Sequence, residues 1–179
     1  ADEGEYLWKG RRLDRPSPRE IRDMGVSVVY QEPSLVPHTT VAENMFLGRL
    51  PLRPGRIVDW SRLWREADAL LEELDLAISA RTPVSRLSVV DRRMVEIARA
   101  LAAQAEVIIL DEPTAPLSIA EIELLFERVE RLRARGIAIL YISHFLEEVF
   151  RLADIITVLR DGRRVDTVRT VETTPAAVV

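Results

Sequence analysis

At 179 residues, with 47% hydrophobic and 30% charged, the chain has the length and balance of one globular domain with a real core. A net charge of −4 argues against a nucleic-acid-binding surface, and the absence of cysteine excludes disulfides and thiolate metal sites, which fits a reducing compartment. No apolar run approaches the roughly 18 residues of a membrane span and no secretory signal pattern opens the chain, so any membrane link must come through a partner.

Residues 5–8 and 11–13 predict two short strands around Lys9-Gly10, a hairpin at the edge of the domain. Ser17-Pro18-Arg19-Glu20 is a capping box with proline at the first helical position, and its helix should run to Met24 and stop at Gly25. Val26-Ser27-Val28-Val29-Tyr30 reads as a strand that delivers Gln31 to its carboxyl end. A loop with Pro33 and Pro37 follows. Thr40-Val41-Ala42-Glu43 is a second capping box, for a helix ended by Gly48; Pro51, Pro54 and Gly55 mark a connector. Asp59 or Ser61 can cap the next helix, whose apolar stripe is Leu63, Trp64, Ala67, Leu70, Leu71 and Leu74. Trp60 and Trp64 are expected to pack on core and rim rather than to stack on a base. Ser88 begins another helix, with Asp91 three residues on and Met94, Val95, Ile97, Ala98 and Leu101 on its apolar face. Residues 38–104 are thus expected as a mostly helical insertion, with 1–37 and 105–179 supplying the α/β core.

Glu106 to Leu110 predicts a strand whose apolar run, Val107 to Leu110, has no polar side, as in a parallel sheet covered by helices on both faces. Asp111 and Glu112 follow at once and Pro113 stops the strand. Acids at the carboxyl end of a buried parallel strand sit where open α/β sheets place their ligands. Neighbours on an extended chain point opposite ways, so one carboxylate is free to face a metal and the next a reacting water. Ser118-Ile119-Ala120-Glu121 is a third capping box, for a helix with Ile122, Leu125, Val129 and Leu132 inward. Strand 137–142 leads to His144, a helix spans about 145–152, and strands 154–159 and 164–168 flank an Asp161-Gly162 turn. The tail has no strong pattern. His38 lies in a loop and is assigned no role.

Gln31 after a strand, Leu87-Ser88-Val89-Val90-Asp91 at a helix start, Leu110-Asp111-Glu112-Pro113 and His144 occur in that order. In order and spacing they resemble the nucleotide-binding domain of ABC transporters over nearly the whole chain. In that family's terms they are the Q-loop glutamine, the signature, the end of Walker B and the switch histidine, with Thr114 to Ser118 as the D-loop. Tyr30-Gln31-Glu32-Pro33-Ser34-Leu35, Thr40-Val41-Ala42-Glu43-Asn44 and Met94 to Leu101 are most similar to the first cassette of bacterial sugar importers of the ribose, galactose and xylose type. The fold implied is a P-loop NTPase-like parallel sheet with a helical subdomain and edge hairpins.

The resemblance implies ATP and Mg2+ as cofactors. It assigns Asp111, with Gln31, to the metal through water, Glu112 to the attacking water, and His144 to the γ-phosphate. Ser88, Val89 and Val90 would meet the nucleotide of an opposite cassette. The implied partners are that second cassette, transmembrane permease subunits and, indirectly, a solute-binding protein, with no nucleic acid; the implied place is the cytoplasmic face of the membrane.

Three departures qualify this. No G-x-x-x-x-G-K-[ST] loop occurs; the only lysine, Lys9, precedes a glycine. Relatives carry that loop shortly before the segment matching Gly4 to Gly10, so an amino-terminally truncated cassette is expected, binding nucleotide weakly and without turnover. Val89 and Val90 stand where the family has glycines and Asp91 where it has glutamine, which should weaken the composite site. Pro116 lies inside the D-loop. Val90, Asp91 and Pro116 support an alternative, a degenerate cassette kept for dimerisation or docking. A DNA-repair or translation cassette fits less well, because basic patches and sustained heptads are lacking.

Overall fold

The computed structural model describes residues 5–32 and 34–178; Gly4 of the first matching segment and Pro33 of the loop lie outside the described residues. Strands β1 (Tyr6–Trp8) and β2 (Arg11–Leu13) pair antiparallel around Lys9-Gly10. Helix α1 (Pro18–Asp23) has both halves of its capping box, and strand β3 (Val26–Val29) follows. Between them Gly25 adopts φ +88°, and its carbonyl accepts from the backbone N–H groups of Glu106, at 2.7 Å, and Val107, at 3.0 Å. An added Cβ would lie 3.4 Å from Glu106, so the turn needs glycine for both conformation and approach.

Helix α2 (Val41–Met45) also has a full capping box, but it ends before Gly48 because tighter turn bonds take over from Phe46. The Pro-Gly connector contains a hairpin that sequence did not announce, β4 (Leu52–Arg53) with β5 (Ile57–Val58). Two residues per strand are too few for any periodicity. Asp59, not Ser61, caps helix α3 (Trp60–Glu73). Leu63, Ala67, Leu71 and Leu74 of the expected stripe are buried, with Trp64 and Leu70 packed partly against them. Trp60 is half-exposed and meets Trp64 edge-on, with centroids 6.2 Å apart. A 3-10 turn (Val84–Arg86) precedes helix α4 (Val89–Ala102), capped by Ser88.

Strand β6 (Val107–Asp111), helix α5 (Ile119–Ala134), strand β7 (Ala138–Ile142) and helix α6 (Leu146–Leu152) complete the α/β part. Strands β8 (Ile155–Arg160) and β9 (Arg163–Arg169) form the expected hairpin, and the tail adds a 3-10 turn (Thr170–Glu172) and helix α7 (Pro175–Val178).

The sheet that matters for function has order β3-β6-β7, all parallel, with β6 in the middle. Helix α4 packs on β3 and α5 on β7. Val29, Ile108 and Leu110 face these helices and are buried. Among the described residues one face of the sheet is covered; on the other, Val107 and Ile109 are only partly buried, and on the same side of β7 Leu140 is 53% and Ile142 44% exposed. An apolar run shows that a strand is central but not how many of its faces are packed. Among the described residues no helix is long and apolar enough to cross a membrane.

Candidate functional site

Parallel register aligns three strand ends. Val29 pairs with Leu110, Leu110 with Tyr141 and Asp111 with Ile142. Gln31 follows β3 by two residues, Glu112 follows β6 by one, and His144 follows β7 by two, so the three meet at one edge. Gln31 Nε2 donates to Glu112 Oε2 at 3.2 Å, and His144 Nδ1 lies 3.1 Å from Glu112 Oε1. One carboxylate thus has each oxygen engaged by a different strand's loop.

Glu112 does not follow the alternation of an extended chain. Its φ is +42°, a left-handed value, while its N–H donates to Ile142 carbonyl at 2.9 Å. Asp111 ends the strand, and the turn at Glu112, not the pleat, aims the second carboxylate at Gln31 and His144. Holding a bulky residue at such a φ costs about 1–3 kcal/mol, and such strain clusters at functional sites. The side chains of His144 and Glu112 are 60% and 31% exposed, so their contact is loose enough for a ligand to rearrange.

The loop that carries His144 is shaped from behind. Glu148 is buried and accepts from Tyr141 Oη and Ser143 Oγ, each at 2.8 Å. Ser143 Oγ in turn accepts from Phe145 N–H at 3.0 Å. Burial, and then the Glu148 hydrogen bond, push the Tyr141 phenol above its ordinary pKa.

The Gln31 loop is held by α4. Arg93 donates to the Tyr30 carbonyl and, at 2.8 Å, to the Gln31 carbonyl; Glu96 accepts from Ser34 N–H at 2.8 Å. Ser88 accepts from Asp91 N–H at 3.1 Å, which fixes the helix start. Val89 is exposed there, whereas Val90 packs against the core. Among the described residues no hydrogen bond joins Ser88, Val89 or Val90 to the Glu112 cluster; they present a separate edge.

A family model for the ABC transporter matches residues 1–115. The chain belongs to the ABC transporter family. The cassette is 48% identical over 161 residues to the ribose import ATP-binding protein RbsA of Rhodopirellula baltica, covering 90% of this chain and 32% of that protein. It is 41% identical over 178 residues to the galactose/methyl galactoside import ATP-binding protein MglA of Haemophilus influenzae, covering 99% and 35%. The chain therefore spans about a third of the length of the curated relatives it matches. A nucleotide-free ATP-binding cassette from an ABC transporter superposes with a TM-score of 0.80 at 26% identity, over 96% of this chain and 73% of that one. The ADP conformation of another such cassette gives 0.80 at 26% identity, over 94% and 70%.

The donor set suits magnesium. Asp111 offers a carboxylate at the sheet edge, and the Gln31 amide, with its nitrogen turned to Glu112, leaves its oxygen free for a hard cation. Among the described residues no three acidic or histidine side chains group into a metal cage of their own, and magnesium takes only one or two carboxylates beside substrate phosphates.

Sequence reasoning missed Arg93, Glu96 and Glu148. The available signal was charge at positions 93 and 96 within a helix that is otherwise apolar on that face.

Proposed function

We propose that this chain is part of the ATP-binding subunit of an ABC importer, which couples ATP hydrolysis to uptake of a sugar or similar small solute. The observation that carries the reading is the Glu112 carboxylate, engaged on one oxygen by Gln31 and on the other by His144 at the carboxyl edge of a parallel sheet. Phosphoryl transfer to water needs a group that orients the water and accepts its proton, beside charge neutralisation. Glu112 has the chemistry for the first task. His144 steadies Glu112 and reaches the terminal phosphate, and Gln31 reports the site's state to its own loop. Asp111, with Gln31, would hold Mg2+, which when bound neutralises phosphate charge.

Ser88, Val89 and Val90, at the start of a 14-residue helix, serve the nucleotide of a second cassette. Residues 38–104 form the helical subdomain, inserted into a core of 1–37 and 105–179. Permease subunits are the membrane partners, and the cassette lies peripherally on the cytoplasmic face. An open groove between α1, β3 and α4, lined by Tyr30, Ser34, Arg22, Arg49 and Arg99, supports a docked segment beside the Gln31 loop. Partial burial, then the like charges of Arg22 and Arg99, push the Arg49 guanidinium below its ordinary pKa. The excess of arginine over Asp23 on the groove wall favours a partner segment carrying carboxylates.

The degenerate-module reading is supported by Val90, β-branched at a helix start that must approach phosphate closely, together with Asp91 and Pro116. One experiment separates the two. In the full-length protein, Glu112→Gln should bind MgATP and lose at least about 100-fold in hydrolysis. A wild-type protein that binds a second cassette yet never hydrolyses ATP would select the degenerate module. An unchanged rate in Glu112→Gln would overturn the assignment of Glu112.

A further inference from the structure

We propose that the Arg93–Glu96 pair is a tether that joins the first turns of α4 to the Gln31 loop as one body, with Arg93 a positioning residue for Gln31. The role for Gln31 rests on the functional reading above; the tether itself does not.

The pair is buried, with side chains 3% and 0% exposed, and its ions lie 3.1 Å apart. Among the described residues, apart from that contact, its hydrogen bonds go to one short segment. Arg93 Nη1 donates to the Tyr30 carbonyl and Nη2 to the Gln31 carbonyl. Glu96 Oε1 accepts from Ser34 N–H at 2.8 Å and from Ser34 Oγ at 3.3 Å, and Arg99 adds a bond to the Ser34 carbonyl at 3.1 Å. The ladder from β3 to β6 stops at Val29, so these side chains take over where the sheet ends.

Stability alone does not account for such a pair. Burial pushes the Arg93 guanidinium down against the upward pull of Glu96. Well-packed apolar residues of similar volume at such positions are often neutral or stabilising. They cannot bridge two successive carbonyls, which the planar guanidinium fork does. The fork fixes the backbone on which Gln31 reaches Glu112. It also lies five residues, about 7.5 Å of helix, from Ser88. Any displacement of Gln31 by a ligand therefore carries the Ser88 edge with it.

The test compares wild type, Arg93→Met with Glu96→Leu, and Arg93→Lys, all in the full-length protein. The apolar double variant should melt near wild type while amide exchange at Ser34, whose N–H the pair holds, accelerates at least about tenfold, the loss of one hydrogen bond to a charged group. Amides of β6 should exchange as before. Its kcat for ATP should fall about tenfold or more with KM changed less than threefold, since Gln31 is mispositioned rather than removed. Arg93→Lys keeps the charge without the fork and should give intermediate exchange and kcat; it decides the question if the double variant fails to fold. Wild-type exchange at Ser34 in either folded variant would overturn the tether. Faster exchange in a protein whose wild type hydrolyses nothing would keep the tether and sink the transport-ATPase reading instead.

Discussion

Replacing Glu148 tests whether the His144 loop is built as described. Glu148 is buried, and its Oε2 accepts two hydroxyl bonds at 2.8 Å, from Tyr141 and Ser143. A hydrogen bond to a charged group contributes about 1.5–3 kcal/mol net, but removing the carboxylate also relieves the cost of burying it. Tyr141 and Ser143 are only half-buried, so water reaches them once Glu148 is gone. The balance for Glu148→Ala is a loss of about 2 kcal/mol, and for Glu148→Gln, which still accepts, about 1 kcal/mol. For a domain of this size that is a drop of about 4–8 °C in Tm for alanine and half that for glutamine. Urea and thermal unfolding of both variants measure it. A Glu148→Ala protein within about 0.5 kcal/mol of wild type, or a glutamine variant less stable than the alanine one, would refute the reasoning.

Two further outcomes follow from the same geometry. The Tyr141 phenol is held above its ordinary pKa by burial and Glu148, so the unfolded chain releases that proton first, near pH 10. Stability from this group is intact below that pH and falls above it; Tyr141→Phe should remove that part of the alkaline decline, and identical urea midpoints from pH 8 to 11 would contradict it. Val90→Gly with Asp91→Gln in the full-length protein should raise ATPase activity by opening the Ser88 edge. It should also cost about 1 kcal/mol or more, because glycine weakens the helix and Val90 packs on the core; unchanged turnover would count against the signature argument.

The three capping boxes at Ser17, Thr40 and Ser118 were readable because both partners lie within one turn. Gln31, Glu112 and His144 could be placed together because the family resemblance assigned them to one site, and the parallel strands β3, β6 and β7 do deliver their ends to one edge. What the sequence hid is long-range or torsional. Arg93 reaches carbonyls 62 and 63 residues away, and no periodicity encodes such a partner. Glu148 looks like a solvent-facing residue until the helices are packed. The direction of Glu112 comes from a positive φ beyond the strand, which strand alternation does not encode. Which face of the sheet α4 and α5 cover was hidden for a simpler cause, since Val107 and Ile109 are apolar on the other side as well.

The claim at the centre is that Glu112 and His144 act as one unit on a single water and phosphate. A double-mutant cycle on MgATP hydrolysis by the full-length protein tests it most directly, with Glu112→Gln, His144→Ala and both together. Residues that act as a unit are grossly non-additive, so the double variant should be no more than about threefold slower than the worse single. Losses that multiply across the two substitutions would mean that the residues work independently, and that their 3.1 Å contact has no part in the chemistry.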